Sequence, residues 1–250
     1  MAGLRFLTLG VGNAFSALYY SSCLALEAEG AWLLLDCPHP IRKILREAAL
    51  AAGVPMELEQ IHAVALTHLH ADHCSGLEGF IYYLHYVAGQ RARVAAHPDV
   101  LTGLWPGHLA AGMEWSVAAA GQPPTRRRPA DFLDLVPLSD STDTSVGPFA
   151  LRCRRTIHSV PTTAFLVRAG GRCLGYSADT AFDPGLIDWL AEADLVIHET
   201  GAGGLHTPYP DLAALPADLR ARMRLIHYPD DFDQAGSVIE PLRQGRCHQV

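Results

Sequence analysis

No run of apolar residues in this chain of 250 approaches the roughly 20 positions that a membrane-crossing helix needs. No membrane partner is therefore expected. Basic side chains are in short supply, 19 Lys and Arg against 26 Asp and Glu, for a formal charge of -7. That balance disfavours a broad nucleic-acid-binding surface and leaves room only for a local basic patch. The six cysteines (Cys23, Cys37, Cys74, Cys153, Cys173, Cys247) include no C-x-x-C pair. Scattered through a chain of this length, they are expected to be reduced thiols in the cytoplasm rather than a disulfide framework. No charged stretch leading into an apolar one opens the sequence, so no secretory signal is expected. The Gly10-Val11-Gly12-Asn13 segment lacks the third glycine of a dinucleotide-binding loop and reads as a tight turn.

What is present suits a well-packed globular chain. Apolar residues make up 49% of the sequence, enough to bury a sizeable core. Short apolar runs at Arg5–Leu9, Cys23–Glu27 and Trp32–Asp36 read as strands, the last two joined at Glu29-Gly30. A helix is expected from about Pro40, with Ile41, Ile44, Leu45 and Ala48 on one face and Gly53 and Pro55 ending it. Ser75-Gly76-Leu77-Glu78 has the pattern of a capping box and predicts a second helix. Leu77, Phe80, Ile81 and Leu84 form its core face, while Tyr82, Tyr83 and Tyr86 lie elsewhere on it. Those tyrosines suit either extra packing or a dimer surface, and a homodimer is expected.

Residues 103–130 are rich in Gly, Pro and Ala, and read as an insertion or lid. Within them Arg126, Arg127 and Arg128 read as a solvated charge run, with a phosphate-bearing ligand as the alternative. Further strand-like runs follow at Asp131–Pro137, Phe149–Thr156, Thr163–Ala169, Cys173–Ser177, Leu195–His198 and Met223–Ile226. Asp183-Pro184 caps a helix, and Asp211–Arg222 is expected to be helical in part. Each half thus presents strands followed by helices. The expected architecture is α/β, a four-layer αββα sandwich forming one domain over 1–250.

The most informative segment is His68-Leu69-His70-Ala71-Asp72-His73. Four potential metal ligands occupy six positions, directly after the apolar run Ala63–Thr67. Unpartnered, such groups would cost several kcal/mol each in an apolar interior, on the order of 2–7. Imidazole nitrogen and carboxylate oxygen are donors that zinc-like cations accept. Residues 68, 70 and 72 alternate, so in extended backbone their side chains share one side. Further donors stand at the ends of later strand-like runs: His158, Asp179, His198 with Glu199, and His227. Strand ends are where α/β scaffolds place function. The mixed His and carboxylate set lacks Cys and leaves positions open for water, which marks a catalytic rather than a structural metal site.

The stretch Thr67-His68-Leu69-His70-Ala71-Asp72-His73-Cys74-Ser75-Gly76 resembles the His-x-His-x-Asp-His signature of the metallo-β-lactamase fold superfamily. His158, Asp179 and His227 fall in the order and spacing that fold uses. His198-Glu199-Thr200 resembles the His-Glu-Ala-Thr motif of its ribonuclease Z branch, as does the opening Leu9–Phe15. That branch also holds phosphodiesterases acting on cyclic nucleotides and other phosphate diesters. The resemblance implies that His68, His70 and His158 bind one metal, that Asp72, His73 and His227 bind a second, and that Asp179 bridges them. Two zinc ions are expected, with manganese or iron as alternatives.

These residues imply a metal-dependent hydrolase in which Asp72 also orients or deprotonates the attacking water. His198, oriented by Glu199 or by a nearby carboxylate, is the expected proton donor to the leaving group, with His206 as an alternative phosphate contact. A small-molecule phosphodiester, such as a cyclic nucleotide, is the expected substrate. The nearest rival is a ribonuclease Z-like endonuclease maturing tRNA 3′ ends, with RNA as the partner. Against it stand the acidic balance and the lack of a long basic arm. Lactone or thioester hydrolysis is a third reading, opposed mildly by His198-Glu199-Thr200. A metal-bound sensor without turnover is opposed by the complete ligand set. A di-iron redox protein ranks low, since such relatives tend to carry Glu where His70 stands.

Overall fold

The computed structural model describes residues 3–250. Two seven-stranded sheets form the middle of the molecule. The first is built from β1 (Arg5–Gly10), β2 (Cys23–Ala28), β3 (Ala31–Leu35), β4 (Ile61–Ala65), β5 (Ala92–Ala96) and β6 (Leu133–Pro137). The second takes β7 (Thr144–Val146), β8 (Phe149–Arg155), β9 (Thr163–Ala169), β10 (Arg172–Tyr176), β11 (Leu195–Glu199), β12 (Met223–Ile226) and β13 (Glu240–Pro241). The last strand, β14 (Cys247–Gln249), returns to the first sheet beside β1. In each sheet one part is antiparallel and the other parallel. Strands β3 to β6 run parallel in the first, and β10 to β13 in the second.

Alternation along the strands sorts their side chains into layers. Phe6, Leu24, Leu26, Leu33, Leu35, Ala63 and Ala65 pack toward the second sheet, in one cluster with Leu151, Phe165 and Val167. Their neighbours Leu7, Ala25, Leu34, Val64 and Leu66 pack instead against the helices α1 (Ile41–Ala52) and α3 (Leu77–Tyr86). Helix α1 buries Ile41, Ile44, Leu45, Ala48 and Ala49 and ends on Gly53 at φ 65°, a left-handed position glycine adopts without strain. The other outer layer contains Pro184–Leu190, which buries Leu186, Ile187 and Leu190. Helices outside two face-to-face sheets make the expected αββα sandwich. Among the described residues, no helix is long and apolar enough to cross a membrane.

Two local expectations change. Helix α3 starts on Gly76 without a side-chain cap. Ser75 is turned away from it, and its hydroxyl instead accepts the His39 N–H at 3.0 Å. The segment 103–130 is more regular than its composition predicts. Helix α4 (Pro98–Leu104) continues through a π-turn, Trp105–Leu109, into Ala110–Met113. Leu104, Leu109 and Met113 are buried with the α3 face, which explains why the segment packs down. A small hairpin pairs Trp115–Ser116 with Thr125–Arg126.

Arg126 and Arg128 are exposed, as a solvated charge run predicts, and Arg127 is half-buried. Arg126 meets Glu114 at 2.7 Å, Arg127 lies over the Phe132 ring at 5.5 Å, and the Arg128 N–H donates to Asp131 at 2.8 Å. The tyrosines divide as well. The Tyr82 and Tyr83 hydroxyls donate to Gly112 and Glu59, while Tyr86 stays exposed.

Candidate metal centre

The parallel strands of both sheets end at one edge, and their carboxyl-terminal ends supply the site. Asp36 follows β3, His68 follows β4, Asp179 follows β10, Glu199 ends β11 and His227 follows β12. His70 precedes the short helix α2 (Ala71–Cys74), which carries Asp72 and His73. His158 lies in the loop between β8 and β9. Asp36, Ala178 and His227 all have positive φ, at 63°, 52° and 60°. Such backbone costs a non-glycine residue about 1–3 kcal/mol each. The only other non-glycine residue with positive φ among those described is Glu29, in a hairpin turn, so this strain gathers at the site.

The seven expected metal ligands come together here. His68, His70, His158 and Asp179 form one group, and Asp72, His73, Asp179 and His227 form another, with donor atoms in each within 4.8 Å of one another. Asp179 belongs to both. In the first group His70 Nδ1 lies 3.1 Å from both His68 Nε2 and His158 Nε2, and Asp179 Oδ2 lies 3.8 Å from each of those two. In the second, His73 Nε2 and His227 Nε2 each stand 3.3 Å from Asp72 Oδ2. Tetrahedral donors at about 2.0–2.2 Å from a cation sit roughly 3.3–3.6 Å apart. The 3.3 Å separations of the second group fall at the edge of that range, and the 3.1 and 3.8 Å separations of the first lie on either side of it.

The buried His73 Nε2, aimed into the group, makes no hydrogen bond. An orphaned imidazole nitrogen in a carboxylate-lined interior fits a divalent cation. The His227 hydrogen bond and the neighbouring His73 ring outweigh the opposing effect of burial and hold Asp72 well below the usual carboxylate range.

Asp36 organises the first sheet's ligands from beneath. Its carboxylate accepts His73 Nδ1 at 2.8 Å and the Thr67 N–H at 2.8 Å. The Thr67 hydroxyl bridges onward to His68 Nδ1 at 2.9 Å. Holding Nδ1 this way leaves each Nε2 facing the site. Burial raises the Asp36 carboxyl, opposed by the charge of the His73 ring.

His198 does not reach the site. It is 1% exposed, and its Nδ1 donates to the backbone oxygen of Glu199 at 2.7 Å. Burial pushes its imidazole down to about 4. A neutral ring enclosed by protein is unsuited to donating a proton to substrate, so the expected role of His198 is corrected. The strand alternation explains this: His198 and Glu199 point to opposite faces of β11.

Glu199 does face the site, where it holds a different histidine. Its Oε1 accepts His206 Nδ1 at 3.0 Å and the Thr180 N–H at 2.8 Å. That hydrogen bond, against the pull of burial, raises the His206 imidazole. The His206 ring stacks on His227 with centroids 5.1 Å apart.

A pocket of about 510 Å³ opens over this cluster. It is lined by His70, Asp72, His158, Asp179, His206 and His227, with apolar walls from Phe15, Leu205 and Pro229. No residue of 103–130 lines it, so the lid expected there does not cover these residues. No Lys or Arg lines it either, among the described residues. A larger groove of about 930 Å³ beside α1 gathers no comparable ligand set.

The family model described as "Anti-Pycsar protein Apyc1" matches residues 4–247. The chain belongs to the anti-Pycsar protein Apyc1 family. An Apyc1 relative from Bacillus phage BSP38 is 30% identical over 265 aligned positions, which cover 96% of each chain. In fold, this Apyc1-family chain is similar to the metallo-β-lactamase fold protein YhfI of Bacillus subtilis. That match has a TM-score of 0.74 and 16% identity, and covers 100% of both chains. It is also similar to the short form of human tRNase Z, with a TM-score of 0.67, 22% identity and 98% of both chains covered. The metallo-β-lactamase fold expected from the motifs is therefore the fold of this chain.

Asp36 and the donor geometry of His206 were not read from the sequence. Asp36 carried the same signal as the ligands, a charged residue closing an apolar strand. His206 follows a glycine-rich loop, and only the folded path of residues 201–206 brings it back onto Glu199.

Proposed function

We propose that this chain is a dinuclear metal-dependent phosphodiesterase acting on small diesters, cyclic nucleotides foremost. The observation that carries the proposal is the convergence of seven donors, with Asp179 shared, beneath a pocket without cationic side chains. His68, His70 and His158 would hold one ion and Asp72, His73 and His227 the other, with Asp179 between them. Zinc suits the His and carboxylate donors, with manganese or iron as alternatives. When bound, the ions supply an activated water near neutral pH and neutralise charge on the phosphoryl oxygens.

The chain's own residues do the rest. Asp72, held as a carboxylate, orients the attacking water, which loses its proton to solvent as its oxygen bonds to phosphorus. The ester bond to the leaving oxygen breaks, and His206 gives that oxygen its proton. Glu199 fixes the His206 ring through Nδ1, leaving Nε2 to face the pocket.

Pocket chemistry favours a small substrate over tRNA. A polynucleotide needs cations along its track, whereas a single diester carries one charge, which the ions would meet. A volume of about 510 Å³ lies within the usual range for small-ligand sites, about 300–1,000 Å³. The test is a panel with metal analysis, using cyclic mononucleotides, bis-p-nitrophenyl phosphate, precursor tRNA and a lactone. Cleavage of the cyclic nucleotides by protein containing two metals per chain is the expected result. Preferential cleavage of precursor tRNA or of the lactone would replace this reading with one of its rivals.

A further inference from the structure

Phe15 is 92% exposed, the most exposed of the large apolar side chains described, and it stands on the rim of the metal pocket. Leu205, 45% exposed, lines the same pocket, and its backbone oxygen accepts His158 Nδ1 at 3.3 Å. Ala14, Ala202 and Pro229 add further small apolar surface. An aromatic ring left in water beside a polar cluster wants a partner, because burying it is favourable.

The loop that carries Phe15 is firmly held. The Phe15 N–H donates to Asn13 Oδ1 at 3.0 Å. Asp230, from the loop after β12, accepts the Ser16 hydroxyl, the Ala17 N–H at 2.8 Å and the Leu18 N–H at 3.3 Å. The Ser16 hydroxyl in turn accepts the Tyr19 N–H at 2.9 Å. Gly12, bridged to Ser21 and to Tyr228, ties the loop to both sheets. A Cβ on Gly12 would come within 2.6 Å of the Ser16 Cβ, so the turn closes tightly there. The ring is thus held exposed on anchored backbone, which lowers the ordering cost of binding.

We propose that Phe15 is the stacking surface for the nucleobase of the substrate, with Leu205 as an apolar wall of the same pocket. The inference rests on the phosphodiesterase reading and adds how the enzyme grips the part of the substrate that does not react. The phosphate and its leaving oxygen go to the metal donors and His206, and beside the polar Asn13 and Ser159 the rest of the lining, Phe15 and Leu205 foremost, is apolar. A flat heteroaromatic ring matches such walls, because every base offers a π-face. The other occupant such a ring could take is a second copy of this chain.

The experiment compares metal-loaded wild type with Phe15→Ala, Phe15→Tyr, Leu205→Ala and Leu50→Ala. The last is a control at a residue 72% exposed, on α1 and outside the pocket lining. Substrates are cyclic AMP and the abasic cyclic ribose phosphate. Metal content and sedimentation are measured for each variant. Phe15→Ala is expected to raise KM for cyclic AMP roughly 5- to 100-fold, the usual worth of a base stacked on an aromatic ring. For the abasic compound KM should move by less than about twofold, as expected when only the base contact is lost. Phe15→Tyr should restore the wild-type KM.

An equal rise for both substrates, or none, overturns the proposal while leaving the phosphodiesterase reading intact. A change in sedimentation with unchanged KM also overturns it, in favour of a contact between copies. Failure of the metal-loaded wild type to cleave either compound overturns the phosphodiesterase reading and this proposal with it.

Discussion

Nearness to Glu199 in sequence does not decide which histidine its carboxylate holds, as His198 and His206 show. Both lie close to Glu199 in sequence, yet only His206 is hydrogen-bonded to its carboxylate and faces the pocket. His206→Ala is expected to slow cleavage of an alkyl diester about 100- to 10,000-fold, the usual contribution of a positioned acid. Bis-p-nitrophenyl phosphate should suffer far less, since nitrophenolate leaves without a proton. His198→Ala should instead lower the melting temperature, because a buried ring is removed, and should leave the ratio between the two substrates unchanged. A collapse of that ratio in His198→Ala rather than in His206→Ala would return the acid role to His198. The clustering of the expected ligands was legible because a dense His and Asp run after an apolar strand has few other uses. His198 was misread because a three-residue motif does not state which of two adjacent residues points inward. That depends on the phase of the strand, and the phase is fixed by packing of Val196 and Ile197 on opposite sides.

At the scale of elements, the approach of α3 to the loop after β3 sets the geometry of the second ligand group. Gly76 sits where a Cβ would meet the Pro38 backbone oxygen at 2.4 Å and the Cys37 oxygen at 2.8 Å. Its N–H donates to Cys37 O at 2.8 Å, and Cys37 N–H donates to His73 O at 2.8 Å. Backbone atoms cannot swing aside as a flexible side chain can. Gly76→Ala is therefore expected to destabilise the fold by about 1–3 kcal/mol, the usual cost of forcing atoms into a packed site. Because Asp36, which holds His73, lies on the same displaced loop, metal affinity should fall as well. Thermal denaturation with a parallel zinc titration checks both, and a variant with unchanged melting and affinity would show that the loop gives way. Strands and the first helix were legible from alternation and from Ile41, Ile44, Leu45 and Ala48. The helical run through 98–113 was not. Pro106, Gly107 and Gly112 mask it locally, and a π-turn shifts Leu109 out of the helical period that would have revealed Leu104 and Met113 as one face.

For the whole molecule, the decisive fact is that neither sheet owns a complete site. His68, His70, Asp72 and His73 come from the first sheet's side, and His158, Asp179 and His227 from the second's. Only a few backbone bonds join the two halves near the site, among them Thr163 N–H to Thr67 O at 3.2 Å and Tyr228 N–H to Val11 O at 3.2 Å. Bound cations would add ligand bonds to both sheets at once, and would also compensate three carboxylates that otherwise crowd each other: Asp72, Asp179 and Glu199. Binding only to the folded state stabilises it by about 2.7 kcal/mol at a hundredfold excess over Kd. For a chain of this size that corresponds to roughly 5–10 °C in melting temperature. Chelation should lower the melting point by at least that much and zinc should restore it, in a single transition, because the halves share the core cluster that runs between the sheets. Two separated transitions after chelation would mean that the halves are autonomous and the ions merely decorate their seam. An unmoved melting point would mean that the donors bind no ion tightly enough to organise the fold.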